Sequence, residues 1–360
     1  MSNYSRWICF IFLLLLITSA CSQEKTQLTG KNKHTSKTEA AAERTSSAEK
    51  NYIIFTLNDN EWAFPEKSVD ALKRVIKIHE KYNVPIDIYF SDATFQNLVS
   101  TSPEVLKELN TSSVVAIAYH IRPPMPAYEG YDFLNLISMS EQDRYNTLLN
   151  YEQHRLDLET GEAVMTDEGG YQYVKDTIGY SPTTVSVENI GPIAKTMRQV
   201  YADLGAKLSV KHSGNSSVQF ALGQKDGPLY VRPENAEIKL YDHVYDYGLD
   251  EAAAGKVIED AIVKEGVSGG FINIKMHDNN FYAVMPAPFW DVYAHDKKPP
   301  FDLSAAYEHE LLTTQEAEDT WAFYENTVAY VSHHPELYTA VNMFDVEEML
   351  GIPRSDVARK

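Results

Sequence analysis

Most of the sequence alternates between short apolar runs with strand character and segments with helical spacing. YIIFTL (52–57) has the continuous apolar pattern of a buried strand, and SVDALKRVIKIHEKY (68–82) places apolar residues at helical spacing. PIDIYF (85–90) reads as a strand, PEVLKEL (103–109) as a short helix and SVVAIAY (113–119) as a third strand. Strands that alternate with helices over short connections are typical of a parallel sheet.

The alternation resumes after an interruption, rich in proline, glycine and tyrosine, that contains a long predicted helix at 140–161. The later predicted strands lie at 183–189, 206–212, within 228–248, at 269–280 and at 337–344, and the later predicted helices lie at 191–205, 249–266 and 313–334. Seven or eight strands, each followed by a helix, predict an α/β fold, specifically a (β/α) barrel of seven or eight strands. In such barrels, functional side chains gather at the carboxyl ends of the strands.

The first 50 residues have a different composition. Residues 1–20 contain Arg6 and an apolar run that is too short for a comfortable membrane span, which is typical of a secretory signal peptide. The small residues directly before Cys21 resemble a bacterial lipobox, which implies a lipid anchor on Cys21. Cys9 would be removed with the signal, so Cys21 would have no disulfide partner. Ser22 indicates sorting to the outer membrane if the cell is Gram-negative.

Residues 21–50 are polar and lack large apolar side chains, so they predict a disordered tether. Residues 51–360 are then the barrel domain. The formal net charge of −19 disfavours nucleic acid as a partner. We therefore expect a cell-envelope protein that contacts the membrane through its lipid anchor.

Polar clusters follow several of the predicted strands. They are Asn58-Asp59, His120, Glu188, Asp246 and His277-Asp278. A polar turn is the simple explanation for any one of them, because Asn and Asp are common turn residues. Their shared position at strand ends favours a common site.

The order of these segments resembles the polysaccharide deacetylases, the NodB homology domain of the glycoside hydrolase/deacetylase superfamily. FTLNDN resembles the first motif, TFDDG, and AIAYHIRPP stands where the family has its histidine motif. GYSPTTVSVENIG, LYDHVYDYGLDEA and GGFINIKMHDNN resemble the third, fourth and fifth motifs. The resemblance covers about residues 52–350 and implies the barrel fold.

The resemblance also implies metal-assisted attack of water on an acetamide carbonyl. Carried over by position, Asp59 and His120 match ligands of one divalent metal, zinc or a similar ion. His277 matches the catalytic acid, and Asp246 matches the residue that orients it.

Two departures from the family pattern bear on the reaction. Asn58 stands where the catalytic base is expected, and an amide does not accept the proton of a water molecule. The segment after His120 lacks the second metal histidine. Asp59 or Glu61 is therefore expected to activate the water, with Glu61 also available as a metal ligand. The planar guanidinium of Arg122 suits a carboxylate or sulfate on a sugar.

The remaining predicted substrate contacts are side chains that suit saccharides. Trp62 and Tyr119 are predicted to stack on sugar rings. The polar contacts predicted for the substrate are Asn58, Arg122, Glu188 and Asp278. Two functions stay open: a hydrolase of a polysaccharide or oligosaccharide, and a glycan-binding lipoprotein that kept the barrel without its chemistry. A structural envelope protein without a ligand is a third, weaker alternative.

Overall fold

A computed structural model of the chain describes residues 49–187, 190–211, 219–294 and 297–353. The strands are β1 (Asn51–Asp59), β2 (Ile86–Phe90), β3 (Val115–His120), β4 (His154–Leu156), β5 (Ala163–Glu168), β6 (Thr184–Val187), β7 (Leu208–Lys211), β8 (Lys225–Asp226), β9 (Leu229–Val231), β10 (Ala236–Lys239), β11 (Phe271–His277) and β12 (Tyr338–Ala340). The α-helices are α1 (Pro65–Tyr82), α2 (Asp92–Thr101), α3 (Pro103–Thr111), α4 (Glu141–Tyr151), α5 (Gly170–Ile178), α6 (Gly191–Leu204), α7 (Glu251–Glu265), α8 (Phe289–Tyr293), α9 (Thr314–His333) and α10 (Met343–Met349). The predicted signal peptide, Cys21, nearly all of the tether and Glu188 lie outside the described residues.

The main sheet confirms the predicted α/β fold class. Eight strands pair in parallel in the order β10-β11-β1-β2-β3-β6-β7-β9. Strand β8 adds to the edge antiparallel to β9, and β12 pairs in parallel with the first residues of β1. Helices connect most of the parallel strands, as expected for crossover connections.

A single bent stretch, 229–239, brings the two ends of the sheet together. Its first part, β9, pairs with β7, and its second part, β10, pairs with β11. The Arg232 N–H donates to Ser209 O of β7 (2.9 Å), whereas the Asn235 N–H donates to Phe271 O of β11 (2.7 Å). Pro233 lies at this switch, between the residues that bond to β7 and those that bond to β11. Proline has no backbone N–H, so it is tolerated where the strand makes no ladder hydrogen bond.

The sheet curls into a barrel-like shape. In a flat sheet, β9 would lie five strand spacings, about 24 Å, from β1. Arg232 Nη1 nevertheless donates to Thr56 Oγ1 of β1 across the interior (3.4 Å). Only a strongly curved sheet brings these two strands within reach of one side chain.

Alternate residues of β1 face different environments. Ile53, Phe55 and Leu57 are fully buried in the main apolar core. On the other face, Ile54 belongs to an apolar cluster with Met343 and Val346 of α10. Thr56, two residues closer to the carboxyl end of the strand, is polar. Helix α10 thus contributes to an apolar plug, and the barrel interior beyond it is polar.

The predicted helix at 140–161 is wrong in its second half. The helix ends at Tyr151, and the chain continues as the antiparallel pair β4–β5. The Asp157 carboxylate accepts the Glu159 and Thr160 N–H groups (2.8 and 2.9 Å), and Gly161 has φ +75°. These features form a turn, which helical spacing alone does not reveal.

Within the described part of the chain, every helix is too short or too polar to cross a membrane.

Candidate functional site

The carboxyl ends of the parallel strands surround a polar cavity of about 140 Å³, here called the chamber. Strands β1, β2, β3, β6, β7, β10 and β11 all contribute side chains to it. Its lining consists of Thr56, Asn58, Tyr89, His120, Arg122, Ser186, Val210, Arg232, Glu237, Lys239, Tyr241, Lys275 and His277. The structure therefore brings together four of the predicted site residues: Asn58, His120, Arg122 and His277.

The two histidines of the chamber are held by backbone contacts. His120 Nδ1 lies 2.6 Å from Ile121 O, and because a carbonyl oxygen only accepts, Nδ1 carries the proton. The His277 N–H donates to Asn280 Oδ1 (2.7 Å), whereas His277 Nδ1 is buried and has no hydrogen-bond partner among the described residues. Burial, and then the nearby charges of Arg122 and Lys275, hold the pKa of His277 well below its usual range. His277 is therefore neutral at pH 7.

Four cationic side chains line the chamber, and sequence reasoning identified only Arg122. The others are Arg232, Lys239 and Lys275. Lys275 Nζ pairs with Glu237 Oε2 (3.0 Å), and Arg232 pairs with Glu234. The sequence does contain a signal for Lys275. It lies two residues before His277 in one strand, and residues two apart in a strand project from the same face.

A cleft of about 610 Å³ adjoins the chamber, and His120 and Arg122 line both cavities. Trp62, Tyr173 and Tyr307 supply aromatic surface to the cleft, and Tyr307 is 58% exposed. Its polar side chains include Gln96, Asn97 and Arg155. Partly exposed aromatic rings beside amide and guanidinium groups are well suited to binding sugar rings.

Tyr119 does not provide the stacking surface predicted for it. Although it lines the cleft wall, its side chain is 0% exposed. Its ring packs edge-on against Tyr171 and Tyr201, with centroid distances of 5.6 and 5.9 Å. Tyr119 belongs to the core because it precedes His120 and so faces the opposite side of β3.

The opposite face of β1 carries a buried cluster of carboxylates, formed by Asp59, Glu61 and Asp278. These residues are 2%, 0% and 0% exposed. Asp278 accepts from the Asn60 N–H (3.2 Å) and the Tyr282 hydroxyl (3.1 Å), and it bonds the Ser68 hydroxyl. Glu61 accepts the N–H groups of Ala63 and Phe289 (2.7 and 3.0 Å).

The carboxylate cluster is protonated in part at neutral pH. Burial, then the charges of Asp278 and Glu61, raise the pKa of Asp59 well above its usual value. Burial and Asp278 raise the pKa of Glu61 to about 8. Burial raises the pKa of Asp278 to about 6, against the hydrogen bonds from Ser68, Asn60 and Tyr282. Asp278 ionises first because those bonds favour its charged form.

The predicted catalytic groups Asp59 and Glu61 have no room for a substrate. The cavity beside Asp59, Glu61 and Ser68 measures about 10 Å³. A single water molecule needs roughly 10–15 Å³. A saccharide therefore does not reach these carboxylates from this side. Trp62, directly after Glu61, turns into the cleft instead.

The described residues do not fit the predicted metal. Asp59 faces the carboxylate cluster, whereas His120 lines the chamber. Across the described residues, no group of three or more His, Cys, Asp or Glu side chains is arranged to hold a metal ion. Because side chains alternate along a strand, Asp59 projects from the face of β1 that is turned away from the chamber. His120, at the end of β3, projects into the chamber, so the two expected ligands lie on opposite faces of the sheet.

Of the three remaining predicted site residues, Asp246, Asp278 and Glu188, the two that the structure describes do not share a location. Asp246 Oδ2 pairs with His243 Nδ1 on the surface (2.9 Å), so Asp246 does not orient His277. Asp278 lies in the carboxylate cluster and not in the cleft. Glu188 falls outside the described residues, so its role stays a prediction.

No protein-family model and no curated protein matches the sequence. Among solved structures, the chain is similar to a protein described as a polysaccharide deacetylase from Mycobacterium smegmatis, with 12% identity, a TM-score of 0.47, and 88% of this chain and 97% of that chain covered. A second, described in the same way, comes from Pseudomonas aeruginosa, with 10% identity, a TM-score of 0.47, and coverage of 84% and 91%.

The chain is also similar to 4-alpha-glucanotransferase from Thermococcus litoralis, with 12% identity and a TM-score of 0.45. The similarity covers 83% of this chain but only 40% of the longer enzyme.

Proposed function

We propose that the protein binds a glycan in the cleft, with His120 and Arg122 contacting the part of the ligand nearest the chamber. The observation that carries this proposal is the cleft of about 610 Å³ with Trp62, Tyr173 and Tyr307 on its walls. Aromatic faces stack on the apolar faces of sugar rings, while amide and guanidinium groups bond the hydroxyls.

Binding is favoured over deacetylation by the distribution of the titratable groups. The predicted base position is Asn58, and Asp59 faces away from the chamber. His277 has a pKa well below its usual range and is therefore not the charged imidazolium that would act as a strong proton donor at pH 7. Among the described residues, the chamber thus has neither a carboxylate at the position of the family's base nor a charged acid.

The test is binding of oligosaccharides to the wild-type protein and to Trp62→Ala, measured by calorimetry after a glycan array has selected the probes. We expect Trp62→Ala to weaken binding about tenfold, since each factor of ten corresponds to about 1.4 kcal/mol. Tyr247→Ala is the matched control because Tyr247 is exposed and hydrogen-bonds Asp260 outside both cavities. Unchanged affinity in Trp62→Ala, or no binding to any glycan, would overturn the proposal.

Hydrolysis of the bound glycan is the second candidate function. It is favoured by one observation: His120 and His277 line the same chamber, next to the cleft. Product release from bound oligosaccharides, followed at pH 5 and pH 7, tests it. Turnover that is lost in His277→Ala supports hydrolysis, and turnover that persists in that variant removes His277 from the mechanism.

We also propose that the protein is anchored in the cell envelope by a lipid on Cys21, in the outer membrane if the cell is Gram-negative. The small residues before Cys21 and the apolar run that precedes them support this. Fractionation of cells expressing wild-type protein and Cys21→Ser tests the anchor. The variant should leave the membrane fraction, and equal membrane retention would contradict the proposal.

A further inference from the structure

We infer that the chamber binds an oxyanion carried by the glycan, either the carboxylate of a uronic acid or a sulfate ester, while the cleft binds the adjoining sugar rings. This inference rests on the glycan binding proposed above and adds the chemical class of the ligand. It concerns the chamber as a whole rather than Arg122 alone.

The charge of the chamber is opposite to the charge of the protein. Four cationic side chains line it, against the single carboxylate of Glu237, in a chain whose formal net charge is −19. Glu237 is engaged by Lys275, and Glu234 is engaged by Arg232. Lys239 Nζ makes no hydrogen bond or ion pair with any described residue, although its charge acts on Glu237 at longer range. Lys239 is thus a positive charge that no described residue pairs with directly, and such a charge beside a cavity favours an anion.

The donors in the chamber are suited to an oxyanion. Arg232 is 3% exposed, and its Nε has no hydrogen-bond partner among the described residues. Arginine binds planar carboxylates and sulfates through parallel N–H donors, and lysine adds a compact charge. A buried N–H donor without an acceptor is costly, so a bound oxygen atom would stabilise this arrangement.

The sizes of the two cavities divide the ligand between them. The chamber, at about 140 Å³, is much larger than the roughly 10–15 Å³ that a single water molecule needs. A carboxylate or sulfate group fits that space. The cleft, at about 610 Å³, is large enough for sugar rings. Arg122 and His120 line both cavities and so lie where a ring would join its charged substituent.

The experiment compares three oligosaccharides of equal length: a neutral one, one that contains uronic acid and one that carries O-sulfate. Each is titrated into the wild-type protein, Lys239→Gln and the control Lys264→Gln by calorimetry, at low salt and in 0.5 M NaCl. Lys264 is highly exposed on α7 and lines neither cavity. Lys239→Gln removes a charge without breaking any contact between described residues, so it is not expected to impair folding.

We expect at least one anionic ligand to bind about tenfold more tightly than the neutral one, and Lys239→Gln to remove most of that difference. Binding of the neutral ligand should not change in Lys239→Gln, and Lys264→Gln should match the wild type throughout. A preference for the uronate or for the sulfate identifies the substituent. Equal affinity for all three ligands, or an anionic preference that survives in Lys239→Gln, would overturn the inference while leaving glycan binding intact. No binding of any ligand would reject the proposed function as well.

Discussion

Two consecutive residues of one strand, Asn58 and Asp59, lie in opposite electrostatic environments. Asn58 lines the chamber, among Arg122, Lys275 and other cations. Asp59 lies on the other face of β1, where Glu61 and Asp278 are its neighbours. The one face collects cationic side chains, and the other collects carboxylates that burial and mutual repulsion keep partly protonated.

This contrast explains why Asn58 and Asp59 do not form one site together, although they are neighbours in the sequence motif. A pair of adjacent side chains serves one site only if the strand ends or twists at that point, because side chains in a regular strand alternate between faces. Here Asn58 is still paired with His277 of β11, and Asp59 with Phe90 of β2. The regular strand therefore separates Asp59 from the two histidines.

The largest expected effect is a loss of stability as the pH rises from 6.5 to 8. Burial raises the pKa of Glu61 on one face of β1, and of Asp87 in the barrel interior, to about 8. In this window the folded state keeps both protons and the unfolded state loses them, so the free energy of unfolding falls with pH. Each group contributes about 2 kcal/mol over 1.5 pH units, or about 4 kcal/mol together.

Urea unfolding at pH 6.5 and pH 8 measures this loss, and Glu61→Gln and Asp87→Asn should each reduce it by about 2 kcal/mol. The window starts at pH 6.5 because the lowered pKa of His79, about 4, and of His277 act in the opposite direction below that pH. A free energy of unfolding that does not change between the two pH values would contradict the prediction that Glu61 and Asp87 are protonated in the folded protein at pH 6.5.

A smaller effect is expected from removing the main hydrogen-bond acceptor of the carboxylate cluster. Asp278→Ala leaves the Asn60 N–H without its acceptor and removes one hydrogen bond each from the Ser68 and Tyr282 hydroxyls, which keep their bond to each other. We expect a loss of about 3 kcal/mol in the free energy of unfolding, because buried polar groups would lose their partner. Thermal and urea unfolding measure it.

Asp246→Ala is the matched control for that variant. Asp246 pairs with His243 at the surface, where an ion pair contributes roughly 0–1 kcal/mol. Similar losses in the two variants would mean that the carboxylate cluster contributes no more to stability than a surface pair does.

The smallest expected effect comes from exchanging the side-chain types of Asn58 and Asp59, each in a separate variant. Asp59→Asn should raise the free energy of unfolding by about 1–2 kcal/mol at pH 8 and change it little at pH 4, because an amide avoids repulsion by Glu61 and Asp278. Asn58→Asp should change stability by less than about 1 kcal/mol, since the new carboxylate faces cations. Unfolding curves at both pH values compare the two, and a destabilised Asp59→Asn at pH 8 would contradict the opposite charge of the two faces.

Much of the fold was predictable from local patterns. The apolar run of β1, the helical spacing of α1 and the polar groups at the ends of β3 and β11 all indicated parallel strands with a polar rim. The β4–β5 pair was missed because the turn at Asp157 interrupts a segment whose composition favours helix. The catalytic, metal-binding and glycan-binding roles predicted from the motifs are still to be tested.

The chamber was only partly predictable. His120, Arg122 and His277 stand next to recognisable strand ends, whereas Arg232 and Lys239 belong to a stretch whose strand pattern was ambiguous. Their place in the chamber depends on the switch of 229–239 from β7 to β11 at Pro233. No local pattern shows which strands such a segment joins.

The sequence by itself determined the strand and helix periodicity, the barrel-type order of elements and the presence of polar groups at strand ends, because these depend on neighbouring residues. Only the tertiary structure decided that Asn58 and Asp59 face different cavities, and that cations from three separate segments meet in one of them. The physical reason is that burial and charge act through space. Side chains far apart in the chain set the environment of each group, and the curvature of the sheet decides which of them meet.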